Sequence, residues 1–160
     1  KGDDFWSWRN SMYELAIKIS PDELEAVATM LYTMMLKNGI TQVVEFHYLH
    51  HDKIGCHYSN LAEMGSRMIA AAKNAGIGIT LIPIFYQLGG FNTPAEDKQK
   101  RFLSKTSESY LRLLEATENA CKDYSRARHG AGIHSLRAVK GQDIVSTLED
   151  INNIPLLLIF

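Results

Sequence analysis

Ile79-Thr80-Leu81-Ile82-Pro83-Ile84-Phe85-Tyr86 is an almost unbroken run of β-branched and aromatic residues. A strand with one wet face alternates apolar and polar residues. A run that is apolar at nearly every position belongs to a sheet covered on both faces, which is the habit of parallel sheets. Pro83 has no N–H, so a bulge or a strand end is expected near it. Upstream, Leu61 to Ala75 places Leu61, Met64, Met68, Ile69 and Ala72 on one helical face and stops at Gly76. Before that, Ile40 to Tyr48 reads as another strand, followed by a polar loop from Leu49 to Asn60. Ser20-Pro21-Asp22-Glu23 opens a helix, with Ser at the N-cap, Pro in the first position and Glu closing a capping box. Leu24, Val27, Ala28, Leu31, Met34 and Met35 form its expected buried face, with Met30, Met34 and Met35 read as core filler, and Gly39 ends it.

Downstream, Gln87 to Asp97 contains Gly89-Gly90 and Pro94 and reads as a long loop. Lys98 to Tyr124 is a helical stretch with an expected break at Ser104-Lys105-Thr106. A strand is centred on Ala131 to Leu136. A helix from Gln142 to Asn152 is expected to bury Ile144, Val145, Leu148 and Ile151. The run from Ile154 to Phe160 is the last strand, and its lack of a polar cap reads as a piece of a larger domain. The order is a helix followed by β-α-β-α-β-α-β, which means parallel strands joined by right-handed crossovers. No glycine-rich phosphate or dinucleotide fingerprint follows any strand. Instead, polar and ionisable residues stand at strand ends: His47 and Tyr48, then Tyr86, then His134, Ser135 and Arg137. That placement favours a barrel, where chemistry sits at the C-terminal ends of the strands. The expected fold class is α/β, a partial (β/α)8 barrel, with about four parallel strands and flanking helices. Residues 1–160 read as the central segment of one barrel with no second domain.

The composition agrees. The chain has 160 residues and a formal charge of −1, from 17 Lys and Arg against 18 Asp and Glu, with 46% hydrophobic residues. This excludes disorder and gives no general electrostatic reason to bind nucleic acid or an anionic membrane. No apolar run is long enough to cross a bilayer. Lys1-Gly2-Asp3-Asp4 does not read as a signal peptide. Cys56 and Cys121 match no metal or redox spacing and read as reduced thiols, so a cytoplasmic protein is expected.

Three clusters bear on function. Phe46-His47-Tyr48-Leu49-His50-His51-Asp52 reads either as solvated imidazoles at a strand end or substrate pocket, or as a metal site of unusual ligand spacing. His57 and His129 read as surface residues. His134-Ser135-Leu136-Arg137 reads either as a brace for the next helix or as an anion grip, in which Arg137 forks onto a carboxylate and His134 donates to the ligand. Phe5-Trp6-Ser7-Trp8-Arg9 reads either as an apolar lid or as a loop that delivers Arg9 to an anion.

Together with Glu45 to Asp52, Gly76-Ile77-Gly78-Ile79-Thr80-Leu81, Tyr110-Leu111-Arg112-Leu113-Leu114-Glu115 and His134-Ser135-Leu136-Arg137-Ala138-Val139, these stretches resemble the formimidoylglutamate deiminases of the amidohydrolase superfamily. The resemblance runs in order over nearly the whole chain. It implies a zinc-dependent barrel enzyme in which metal-bound hydroxide attacks the formimino carbon of N-formimino-L-glutamate. It implies substrate binding by Arg9 and Tyr48 at one carboxylate and by His134 and Arg137 near the other end. The partner implied is a small dicarboxylate, with neither nucleic acid nor membrane, and the parent enzyme is expected to be a homodimer. The family's His-x-His motif would precede Lys1. A ligand His is expected near Ile159, where this sequence has none, and Ile133 stands where the family has Pro. The chain is therefore expected to carry the substrate grip without a complete zinc site, and to be inactive alone. A related deaminase of a purine or pterin fits the Arg9 and Arg137 pair less well, since a neutral heterocycle needs no carboxylate clamp. A non-catalytic ligand-binding or structural piece is the third reading.

Overall fold

The computed structural model describes residues 4–151 and the backbone of 156–158. Its strands are β1 (Gln42–His47), β2 (Gly78–Phe85), β3 (Ala127–His129), β4 (Ala131–Ile133) and β5 (Leu156–Leu158). All of their pairings are parallel, with β1 beside β2, β2 beside both β3 and β4, and β4 beside β5. β3 and β4 hold one register against β2, pairing Ile79 with Ala127 and Ile84 with Gly132. They are two halves of a single strand position, so the four expected positions are all present. The third strand starts earlier than its sequence centre and ends at Ile133. The expectations for Pro155 and Ile159 lie outside the described residues.

The helices are α1 (Phe5–Ala16), α2 (Pro21–Lys37), α3 (Glu63–Ala75), α4 (Ser107–Cys121) and α5 (Gly141–Asp150), with a short 3-10 helix over Asp97–Phe102. The helical stretch expected from Lys98 is thus split, and Thr106 caps its second segment by accepting from Ser109 N. The capping box of α2 forms as read: Glu23 N donates to Ser20 Oγ and Ser20 N donates to Glu23 Oε2 at 2.8 Å. Gly76 closes α3 in the left-handed region, at φ 88°, where a side chain would be strained.

One core packs Tyr32, Met68, Ile69 and Ala72 from α2 and α3 against Ile79 and Leu81 of β2. A second gathers Phe85, Tyr110, Leu114, Ile133, Val139 and Ile151, with the Phe85 and Tyr110 rings stacked 4.6 Å apart. Two expected apolar faces are corrected. In α2 the enclosed residues are Ala28 and Tyr32, while Val27, Met30, Leu31 and Met34 are each more than half exposed. That helix is apolar on most of its circumference, so periodicity alone could not say which side meets α3. Tyr32 wins because its hydroxyl donates to Glu45 of β1 at 3.0 Å while its ring fills the core. In α5 Thr147 is buried, as is Ile151 at its C-cap, whereas Val145 and Leu148 face outward.

The break expected at Pro83 occurs in the ladder rather than in the strand. Pairing with β3 stops at Leu81 opposite His129 and resumes with β4 at Ile84 opposite Gly132. Tyr110 of α4 fills the gap. Its hydroxyl accepts from Gly132 N at 2.9 Å and donates to Pro83 O at 2.8 Å. A buried peptide group left without a partner would cost about 1–3 kcal/mol, and this hydroxyl answers the two backbone groups, Pro83 C=O and Gly132 N–H, that the break in the ladder leaves apart.

Candidate functional site

Tyr48, Tyr86 and His134 each stand one residue past a strand end, of β1, β2 and β4 respectively. They line a cleft of about 850 Å³, together with Arg9, Tyr13 and Arg137. The four residues singled out from the sequence, Arg9, Tyr48, His134 and Arg137, are therefore brought to one place.

Arg9 arrives on a helix, α1, where the sequence suggested a loop. Asp4 caps that helix by accepting from Ser7 N at 2.8 Å, a signal present in the sequence but hidden among the aromatics. The helix turns Arg9 and Tyr13 to the same side, one turn apart. The Arg9 guanidinium lies 5.3 Å from the Tyr13 ring centre and its Nη2 donates to the Tyr13 hydroxyl at 3.5 Å.

His134 is wedged between aromatics. Its Nδ1 shares a hydrogen bond with the Tyr48 hydroxyl at 3.0 Å, and its ring stacks on Tyr86 with centres 4.5 Å apart. Burial first, then the nearby positive charges of Arg137 and Arg9, push the imidazole down to about 4. It is neutral at pH 7. Burial also raises Tyr86 to about 12 and moves Tyr48 upward, so both phenols keep their protons. Arg137 is exposed at the mouth, on a turn where its N–H donates to Ser135 Oγ. The turn docks against the end of β2 because Gln87 N and Leu88 N both donate to Ala138 O. The arrangement offers two guanidinium groups from separate elements and a neutral aromatic wall, which is chemistry for holding an anion.

The histidine cluster is corrected. His47, His50 and His51 are buried rather than solvated. His50 Nε2 donates to Ile84 O at 3.1 Å and His51 Nε2 donates to Leu103 O at 2.6 Å, so these rings pin the 49–52 loop to the sheet. His57 is exposed, as read, with its ring edge-on to His51, and His129 is half-buried in β3. His47 Nε2, His50 Nδ1 and His51 Nδ1 have no hydrogen-bond partner among the described residues. Their ring centres stand 5.4 and 6.2 Å apart in succession. No group of three His, Cys, Asp or Glu that could hold a metal ion gathers among the described residues. The described residues therefore do not fit the ligand set of a zinc ion.

The sequence reading missed three residues of the site. Gln99 and Arg101 are almost fully buried on the 3-10 helix, and Phe102 packs against Tyr13, Tyr48 and Tyr86. In the sequence they lie in Gln-Lys-Arg-Phe, at the start of the helical stretch read from Lys98, where no local signal marks them as buried.

No family model matches the chain. It is 44% identical over 149 residues to the formimidoylglutamate deiminase of Pseudomonas aeruginosa, a match that takes in 91% of this chain and 32% of that protein. The chain thus spans about a third of the length of the curated relative it matches. Among solved structures, an amidohydrolase from Brucella melitensis superposes with a TM-score of 0.91 at 42% identity, over 99% of this chain and 35% of that one. A triazine hydrolase variant superposes with a TM-score of 0.67 at 18% identity, over 92% of this chain and 32% of that one, a likeness of fold alone. The α/β class with parallel strands and flanking helices stands as read. By sequence over nine-tenths of its length and by fold over nearly all of it, the chain is related to formimidoylglutamate deiminase and to the amidohydrolases.

Proposed function

We propose that this chain is the substrate-gripping portion of a deiminase that hydrolyses N-formimino-L-glutamate to N-formyl-L-glutamate and ammonia. The observation that carries the reading is the convergence of Arg9 from α1 and Arg137 from the turn after β4 on one cleft at the strand ends. A dicarboxylate offers two anionic ends to two guanidinium groups, each able to make parallel charge-assisted hydrogen bonds. Neutral His134, held by Tyr48 and stacked on Tyr86, orients the ligand by hydrogen bonding without adding charge. The remaining wall of the cleft is in large measure apolar.

The reading places residues 1–160 within one (β/α)8 barrel in a cytoplasmic, homodimeric enzyme whose partner is a small dicarboxylate. It implies zinc to activate the attacking water. The described residues do not supply that ligand set; what they supply is binding and orientation.

Two results are expected. Titration of the chain with N-formyl-L-glutamate gives heat, and Arg137→Ala weakens binding about tenfold or more, the usual cost of removing a hydrogen bond to a charged group. An ammonia-release assay with N-formimino-L-glutamate and added zinc gives no turnover from the chain alone. Equal binding by wild type and Arg137→Ala, or preference for a neutral purine, overturns the reading. Metal-dependent turnover by the chain alone would show that a working ligand set exists within these 160 residues.

A further inference from the structure

Gln99 is 1% exposed, and all of its amide is committed. Its Oε1 accepts from Glu96 N at 2.8 Å. Because a backbone N–H only donates, this bond fixes which end of the amide is oxygen. The NH2 group must then face the other way, and it donates to the Tyr86 hydroxyl at 2.8 Å and to the Tyr13 hydroxyl at 3.4 Å. The backbone at Gly89 packs against the same amide oxygen. Gly89 passes so close that a Cβ there would meet Pro94 O at 2.7 Å and Gln99 Oε1 at 3.3 Å.

A phenol has one proton and an oxygen that accepts. Tyr86 accepts from Gln99, and Tyr13 accepts from both Gln99 and Arg9 Nη2. Neither hydroxyl donates to an acceptor among the described residues, and both side chains line the cleft. Their protons are left to point at whatever occupies it. Tyr86 lies under His134, and Tyr13 lies under Arg9. One buried amide thus reaches both halves of the proposed grip.

We propose that Gln99 is a positioning residue that fixes the Tyr13 and Tyr86 hydroxyls as donors toward the cleft, where they bind a carboxylate beside Arg9 and Arg137. This rests on the anion-binding reading above and adds two ligand-binding residues and one positioning residue to it. The positional logic is one of polarity. An acceptor at position 99 would draw both phenol protons inward and present oxygen lone pairs to an anion.

The test is calorimetric titration of the 160-residue chain with glutarate, at pH 8 and pH 6. Wild type is expected to bind equally at both, and Arg137→Ala to lose about tenfold. Tyr13→Phe and Tyr86→Phe keep the rings and remove only the hydroxyls; each is expected to lose about fivefold or more. Gln99→Glu is expected to lose about tenfold or more at pH 8 and to regain some of it at pH 6, where a buried carboxyl takes up a proton and donates again. If Gln99→Glu fails to fold by circular dichroism, the two phenylalanine variants decide. Wild-type affinity in both Tyr→Phe variants overturns the inference while leaving the Arg137 reading intact. So does a loss in Gln99→Glu that does not change with pH. Absence of glutarate binding by wild type, or an unchanged Arg137→Ala, overturns the reading and the inference with it.

Discussion

Lowering the pH from 7 to 4 is expected to cost the folded chain several kcal/mol, and four histidines account for it. Burial pushes His47 and His134 down to about 4, lowers His51, and, with His47 beside it, holds His50 well below the ordinary imidazole range. In the unfolded chain each titrates near 6.5. Above that pH neither state is protonated, and these groups leave stability unchanged. Below it the unfolded chain takes up protons that the folded chain refuses, so stability drops as pH falls, and for His47 and His134 the drop runs down to their folded values near 4. For fully enclosed His47, the gap between 6.5 and about 4 is worth roughly 3 kcal/mol at the acid end. His134 contributes less, being partly open to solvent. Urea denaturation at intervals from pH 7.5 to 4 should show a falling midpoint, and His47→Gln should fall less steeply. A midpoint that stays level across this range would be incompatible with neutral buried imidazoles.

Arg101→Leu is expected to destabilise the chain by about 3–5 kcal/mol and to release α1. Arg101 is fully buried. Its Nε donates to His51 O at 2.9 Å, and its Nη1 donates to Ala16 O and to Ile19 O, the latter at 2.9 Å. Its own carbonyl accepts from His50 N and His51 N. Leucine would fill much of the volume but leave three buried carbonyls unanswered. Two of these lie at and just beyond the end of α1, so the helix that carries Arg9 loses its anchor. The measurements are a urea midpoint and limited trypsin digestion, with early cleavage after Lys18 as the expected mark of release. Arg101→Lys should recover only some of the stability, since one ammonium cannot match the planar fork. Unchanged stability together with unchanged digestion in Arg101→Leu would remove Arg101 from this role.

What could be read from the sequence follows from how local each signal is. The capping box at Ser20, the stop at Gly76 and the strand runs around Val43, Leu81 and Ile133 are decided within a few residues, and they appear where expected. Tyr48, His134 and Arg137 were legible as candidates because strand ends concentrate polar groups in parallel sheets. Helix α1 was not, because its aromatics masked the Asp4 cap. The burial of His50 and His51 was not, because the acceptors that enclose them, Ile84 O and Leu103 O, lie 34 and 52 residues away. Gln99 and Arg101 were invisible for the same reason. A polar side chain satisfied by distant backbone looks, in one dimension, like any solvated residue. The exposed stripe of α2 shows the converse: an apolar pattern names a face without naming what covers it.

The Tyr110 hydroxyl, seated between Pro83 and Gly132, makes a helix side chain into a rung of the sheet. The helix layer and the strand layer are therefore unable to come away separately. If α4 swung outward while the strands stayed paired, Pro83 C=O and Gly132 N–H would be stranded in an apolar interior. If the strands slipped, Tyr110 would lose both partners at once. α4, β2 and β4 thus open as one cooperative unit, and the exchange of the Gly132 amide with solvent reports on the docking of a helix rather than on the fraying of a strand.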